Sequence, residues 1–371
     1  MIKVLQVLPG LDRGGLETFV MNIFRVIDRN KVHFDFLVNR ETGDYADEIK
    51  HLGGHIYYIP PRNKGFSAFN RNLKRFFNEH QGEYDALHYH ESSLSSLEVL
   101  YFAKRANIPV RIMHSHSSSI LGNKLHYIMH WFGKTVIHRL ATHYFGCSDK
   151  AMDWLYDYSG VRNKAVLIRN GINTRKFAYN SLIRDQVRNE LGLGDCFTVC
   201  HVGRFSAVKN HAFLLEVFRA IKKINPNVKL VLVGTGSLFD SVTKMANDMG
   251  LKGDILLLGV RSDTERILQA ADAFVMPSLY EGLPVVLVEA QTAGLPIFCS
   301  DTISLMSKLT DEYFPISLKQ TPSFWANTVL TESTKYDRVD HSMIVRDAGF
   351  DVYDIADFLI KVYNSRNTEI I

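Results

Sequence analysis

Glu281 and Glu289, with seven residues between them, interrupt "SLYEGLPVVLVEAQTAGLP" (278–296), a stretch that otherwise reads as core. The surroundings of Glu289 are apolar, and a poorly hydrated carboxylate needs a partner. A second group lies in "HVGRFSAVKNHAFLLEVF", where Arg204 and Lys209 flank a loop between a strand end and a helix. Two cations at a helix N-terminus oppose its dipole, so an anion held between them would explain their placement. Solvated surface charge is the other reading of each cation. Gly14-Gly15 lead into a helix whose free amides favour an anion; a tight strand-to-helix turn would use the same glycines. Gly234-Thr235-Gly236 follows another strand as half of a dinucleotide fingerprint, or as a plain turn. His88 and His90 alternate on one strand, as do His114 and His116. The first pair could be read as metal ligands on one strand face, but no third ligand is evident, and no metal is expected.

These groups need elements to hold them. Short β-rich runs alternate with amphipathic helical stretches along the whole chain, the pattern of parallel α/β sheets. Seven strands are expected in the first half, from "KVLQVL" to "AVLI", and five in the second: "FTVCHVG", "KLVLVG", "ILLLG", "AFVMPS" and "LPIFCS". A turn signal at Asn170-Gly171 separates the halves. The expected fold is therefore α/β, with two doubly wound domains over 1–169 and 170–352. Such sheets bind ligands outside the carboxyl ends of their strands. Within the opening stretch, Pro284 suits the first turn of a helix and Gly294 its C′ position. Glu281 then precedes that helix and Glu289 lies inside it.

A chain of 371 residues with 46% hydrophobic and 22% charged residues can bury two ordinary cores. No run reaches the roughly 18 apolar residues of a spanning helix. Four cysteines suggest reduced thiols and a cytoplasmic protein. Residues 1–170 hold 22 Lys and Arg against 16 Asp and Glu, the remainder 21 against 23. This is either drift in surface charge or a first half that meets something anionic. The stretches 70–77 and 125–140 mix basic with large apolar residues. Each reads as an interfacial helix or as an ordinary amphipathic helix facing the core.

The chain resembles the retaining glycosyltransferases of family four, which have the GT-B fold, particularly those building bacterial exopolysaccharide or capsule. The likeness runs through the glycines at 14–15, "HSH" (114–116), "RNGINTRKF" (169–177), "GRFSAVKN" (203–210), "GTGS" (234–237) and the spaced pair Glu281 and Glu289. It implies two Rossmann-like domains facing each other across a cleft, with the C-terminal helix, about 353–371, packing back on the first. A nucleotide-diphosphate sugar, UDP-linked by preference, would be the donor, a glycan or lipid-linked molecule the acceptor. No cofactor, metal or nucleic acid is implied. Arg204 and Lys209 would hold the diphosphate with the amides of Gly15, Val285 and Val286, and Gly14, Gly234, Arg261 and Leu283 would complete the donor site. Glu289 would accept from the ribose hydroxyls and Glu281 from a hydroxyl of the transferred sugar. His116, in preference to His114, would face that sugar. Pro284 departs from the family's glycine and cannot donate its backbone hydrogen bond.

On that reading the catalytic residues are Glu281, His116, Arg204 and Lys209. The cations stabilise a departing diphosphate while Glu281 opposes charge on an oxocarbenium-like sugar. A hydrolysing nucleotide-sugar epimerase and a non-catalytic sugar-nucleotide sensor are the alternatives. A lipid-linked acceptor would bring peripheral contact with the anionic inner face of the cell membrane.

Overall fold

Runs rich in Val, Ile, Phe and Tyr form the strands. The computed structural model describes residues 1–118 and 124–365, and every pair of strands within them is parallel. The chain divides into two units, Met1–Gly171 with the segment from Val352 onward, and Ile172–Asp351.

The first unit contains β1 (Ile2–Leu8), β2 (Val32–Val38), β3 (Ile56–Tyr58), β4 (Ala86–His90), β5 (Val110–Ser115), β6 (His143–Gly146) and β7 (Ala165–Leu167), in the order 3-2-1-4-5-6-7. The second contains β8 (Phe197–Val202), β9 (Val228–Val233), β10 (Ile255–Leu257), β11 (Ala273–Met276), β12 (Ile297–Ser300) and β13 (Tyr313–Ile316), in the order 10-9-8-11-12-13. Both are doubly wound, and each reverses its strand order once, between β1 and β4 and between β8 and β11. Loops leaving these neighbours diverge, which opens a crevice at the carboxyl end. Strand β13 is absent from the sequence expectation. It has only four residues, and Pro315 inside it reads as a breaker, which an outermost strand tolerates.

The helices that matter below are α1 (Gly15–Val26), α2 (Phe66–Glu79), α3 (Lys124–Leu140), α4 (His211–Ile224), α5 (Thr264–Ala270), α6 (Val285–Thr292) and α7 (Val352–Asn364). In α1, Phe19, Val20, Ile23 and Phe24 recur at helical spacing and pack with Phe34 and Phe36 of β2. The same cluster receives Leu359, Val362 and Tyr363 of α7, so the C-terminal helix completes the first unit's core. Gly171 explains the close return of the chain: a Cβ there would fall 2.6 Å from Ile355 Cδ1. Residues 366–371, also expected in this helix, lie outside the described residues.

The two candidate interfacial segments part company. Helix α2 buries Phe69, Leu73, Phe76 and Phe77, so the aromatic residues of 70–77 face the core and the interfacial reading of that segment is corrected. Helix α3 instead exposes Leu125, Ile128, Trp131 and Phe132 by 51–69%. No helix among the described residues is long and apolar enough to cross a membrane.

Leu359 is 1% exposed. Leu359→Ala should therefore cost about 2–5 kcal/mol, lowering the thermal midpoint followed by circular dichroism. An unchanged midpoint would remove α7 from the core.

Candidate active site

The reversal point of the second sheet gathers most of the expected residues. Arg204 and Lys209 lie on the loop between β8 and α4, and Glu281 lies on the loop between β11 and α6. These loops are tied together by the backbone, Leu279 N–H donating to Val208 O at 2.8 Å. Glu281 forms an isolated bridge with Ile303 beyond β12, and Thr302 Oγ1 donates to the carbonyl of Ser278 at 3.1 Å. The carboxylate is thus mounted on fixed backbone. Lys209 Nζ stands 2.7 Å from Glu281 Oε1, both side chains less than a fifth exposed. The contact is a short ion pair between a lysine ammonium and a carboxylate on different loops. Sequence reading gave the two residues separate ligands; the fold pairs them.

Arg204 is exposed and makes no hydrogen bond or ion pair with another described residue. With Lys209 matched by Glu281, Arg204 carries the uncompensated positive charge of this loop. The loop's histidines do not add to it. His201 is pushed down to about 3 by burial, with His211 and Lys209 contributing, and His211 to about 4 by burial and Lys209. His201 Nδ1 donates to Val275 O at 2.8 Å, leaving Nε2 as a bare, buried acceptor. Sequence reading passed over both rings, which lack any motif.

Helix α6 starts at Val285, one residue later than expected, so Pro284 is its N-cap and not in its first turn. The amides of Val285 and Val286 are the first of the helix and have no carbonyl one turn earlier to bond. Leu283 precedes them, half-buried. At the other end Gly294 adopts φ +67°, its amide bonding Gln291 O while Leu295 bonds Ala290 O, a Schellman closure. Glu289, one turn into α6, faces the ion pair of Lys176 and Glu265 (2.8 Å). Burial, and then the Glu265 charge, push Glu289 up to about 7 against the pull of Lys176. The partner that its apolar surroundings called for is already shared.

The glycines of "GTGS" have a steric task. Gly234 has φ +132°, and a Cβ there would fall 2.1 Å from Gly203 O; at Gly236 it would fall 2.4 Å from Phe205 O. The β9 loop thus packs its bare backbone on the Arg204 loop. Arg261 is exposed and holds Asp263 with two hydrogen bonds of 2.7 and 2.8 Å, a bidentate pair that uses two of its five N–H donors.

Gly14, Gly15 and His116 belong to the first unit. Gly14 caps α1 and Gly15 begins it. A Cβ on Gly15 would meet nothing within 4 Å, whereas on Gly14 it would fall 2.3 Å from Glu17 Oε2. The Glu17 carboxylate therefore folds back to the helix start, where the dipole favours it. His116 is partly exposed just beyond β5, and His114 is fully buried. The third imidazole that the sequence did not show is His114, one ring nitrogen of which lies within 4.8 Å of those offered by His88 and His90. A cavity of about 620 Å³ opens at the same end of this sheet, among Arg62, Phe66, Tyr89, Glu91, Leu125 and Met129. Burial pushes the Glu91 carboxyl up, partly offset by the amides of Ser92 and Ser93.

Comparison with known proteins follows this division. The family described as Glycosyltransferase Family 4 matches residues 13–176, and Glycosyl transferases group 1 matches 183–317. The chain is 35% identical to EpsF of Bacillus subtilis, named as a glycosyltransferase, over 98% of this chain and 96% of that protein. It is 29% identical to the capsular polysaccharide biosynthesis glycosyltransferase CapH of Staphylococcus aureus, over 89% and 90%. It is 28% identical to the UDP-Gal:alpha-D-GlcNAc-diphosphoundecaprenol alpha-1,3-galactosyltransferase of Escherichia coli, over 87% and 84%. Among solved structures it shares its fold with Anabaena Alr3699/HepE, crystallised with UDP, with a TM-score of 0.76 at 19% identity over 98% and 100%.

The elevated Glu289 gives a test of the site without any ligand. Between about pH 4.5 and 7 the folded protein keeps a proton that the unfolded chain has lost. The stability this supplies is complete below pH 4.5 and is lost as pH rises through 7. Glu289→Gln cannot ionise, so its thermal midpoint should gain on wild type between pH 5 and 8. A difference constant with pH would show that Glu289 is not held protonated.

Proposed function

The chain belongs to the family 4 glycosyltransferases of GT-B fold, and from that premise we propose that it moves a sugar from a UDP-sugar to a lipid-linked glycan, with retention at the anomeric carbon. The Arg204 loop and the Glu281 loop, joined at the reversal point of one sheet, carry this reading. The names of the relatives support it, one a capsular polysaccharide enzyme and one using a UDP-sugar and a diphosphoundecaprenol-linked acceptor.

The donor's diphosphate takes Arg204, the free cation, together with Lys209 and the amides that open α6. As the bond from sugar to phosphate breaks, its electron pair goes to the phosphate oxygen, and positive charge grows on the sugar ring. Cations already in place stabilise that phosphate more in the transition state than before it. Glu281 has two tasks here: it holds Lys209 before the donor arrives, and it opposes the charge on the sugar. The acceptor oxygen then bonds the anomeric carbon on the face that phosphate left, and its proton departs with the nucleoside diphosphate. Glu289 accepts from the ribose hydroxyls, and His116 meets the transferred sugar.

The first unit serves the acceptor. Its cavity offers the Glu91 carboxyl and Arg62 beside Phe66, Leu125 and Met129, a polar end with an apolar wall. Leu125 and Met129 belong to α3, whose outer face is the exposed apolar one. An acceptor with a sugar head and a hydrocarbon tail suits that continuity, and a cytoplasmic enzyme resting on the inner membrane face would meet it there.

Lys209→Ala and Arg204→Ala should each lower kcat by about 10²–10³, the usual scale for losing one preorganised donor. Glu289→Ala should mainly raise KM for the donor. Product anomers read by NMR should match the donor's. Normal turnover in both cation variants would move the diphosphate elsewhere, and an inverted anomer would remove the retaining assignment. Hydrolysis to a free epimerised sugar without acceptor would favour the epimerase.

Binding to vesicles containing anionic lipid should weaken with salt, because surface charges contribute. It should also drop several-fold in a protein carrying Ile128→Ser and Phe132→Ser. Equal recovery in the supernatant with and without anionic lipid would exclude α3 as a membrane contact.

A further inference from the structure

Behind His116 runs a single chain of hydrogen bonds through the interior of the first unit. His116 Nε2 lies 2.9 Å from His90 Nδ1, and His90 Nε2 lies 2.8 Å from Gln6 Oε1. Gln6 Nε2 donates to Tyr363 Oη at 3.3 Å, Tyr363 Oη lies 2.8 Å from His88 Nδ1, and His88 Nε2 lies 3.1 Å from His114 Nδ1. Gln6, His88, His90 and His114 are at most 1% exposed. Only the two ends, His116 Nδ1 and His114 Nε2, lack a partner among the described residues, and both of these nitrogens are themselves buried.

Burial holds all four imidazoles neutral, His116 pushed down to about 3. A neutral imidazole has one N–H and one lone pair, so each His–His contact must pair a donor with an acceptor. The chain then has a single polarity, and Gln6 sets it. Its carbonyl oxygen can only accept, so the proton of His90 sits on Nε2 and His90 Nδ1 is bare. His116 must bring the proton to that contact on its own Nε2, which leaves Nδ1 as a lone pair. On the other branch the Gln6 amide donates to Tyr363, the tyrosine hydroxyl to His88, and His88 to His114. That branch ends in an N–H near the Phe19 ring, whose plane is 82° from that of His114 at 5.2 Å between centroids.

We propose that Gln6 and His90 are positioning residues that lock His116 as the Nε2–H tautomer, so that it meets the transferred sugar as a hydrogen-bond acceptor at Nδ1. The proposal rests on the reading that His116 faces that sugar. A fixed lone pair takes a hydrogen bond from a sugar hydroxyl and gives nothing to a position that lacks one, which makes His116 a selector for hydroxylated sugars. A histidine free to exchange tautomers would lose that preference. Gln6 is the first residue in this chain of cause, although it reaches His116 only through His90.

The tautomer is read directly from ¹⁵N imidazole shifts of the unliganded full-length protein, with His116 assigned by its loss in His116→Asn. Between pH 6 and 8 the expected signal has a protonated Nε2 and a bare Nδ1. A proton on Nδ1 in wild type overturns the proposal without need of any variant. Gln6→Met should release the tautomer and lower kcat/KM for the donor about tenfold, the worth of one hydrogen bond. Gln6→Glu should restore both, because a buried carboxylic acid can accept from His90 and donate to Tyr363. An unchanged tautomer in Gln6→Met overturns the role of Gln6. A released tautomer with unchanged transfer shows that His116 does not meet the sugar. Absence of any transferase activity in wild type would instead count against the proposed reaction, and the shifts would still report on the chain.

Discussion

A cation and an anion on two diverging loops organise the second unit. Lys209 follows β8 and Glu281 follows β11, the neighbours at which strand order reverses, so their loops part above the sheet and then meet again through the ion pair. Neither residue is free to choose another position. The Lys209 stem packs over Gly203, where a Cβ would come 3.2 Å from Lys209 Cε, and the Glu281 backbone is bridged to Ile303. Pairing of half-buried charges returns little net stability after desolvation. On the proposed reading its value is placement, since a lysine held by a carboxylate would already be near where a diphosphate needs it.

Much of this was legible in the sequence because it rests on local pattern. Alternating strand and helix periods specify two doubly wound sheets, and Gly294 marks the end of α6 with the αL position it occupies. The spacing of Glu281 and Glu289 places one before that helix and one within it. What escaped is what depends on neighbours distant in the chain. The Lys209–Glu281 pair needs β8 to lie beside β11, and the four-histidine chain needs β4 beside β5, with Gln6 from β1 and Tyr363 from α7. Alternating histidines show which residues share a strand face and not which strand adjoins it. Helix α2 shows the same limit: its apolar stripe says that one face is covered, and only packing says by what.

The glycines illustrate how a motif and a mechanical need can share residues. Gly234 and Gly236 resemble a phosphate-binding fingerprint, yet the contacts they permit are with carbonyl oxygens of the Arg204 loop. Backbone against backbone leaves that loop little room to shift, which serves whatever Arg204 binds. Gly15 differs, because nothing in the unit occupies the space beside it. Open space at the start of α1, with Glu17 already turned toward the helix amides, describes a place where an anion would compete with a carboxylate.

The two units handle polarity in opposite ways. Near the reversal point of the second sheet the groups are charged, with Arg204, Lys209 and Glu281 at partly accessible positions and Glu289 poised near neutrality. In the first unit the groups behind His116 are buried and neutral, and each of their ring nitrogens except His114 Nε2 is matched to a partner. A buried ion there would face a steep desolvation cost, whereas a neutral chain can run through a core at the cost of fixing its proton order. Charge suits a diphosphate whose negative charge grows during reaction. An ordered lone pair suits a sugar hydroxyl, which differs from its competitors in the position of one donor and not in charge. On the proposed reading the division follows from what each ligand offers: one would be recognised by the amount of charge it carries, the other by where its protons point.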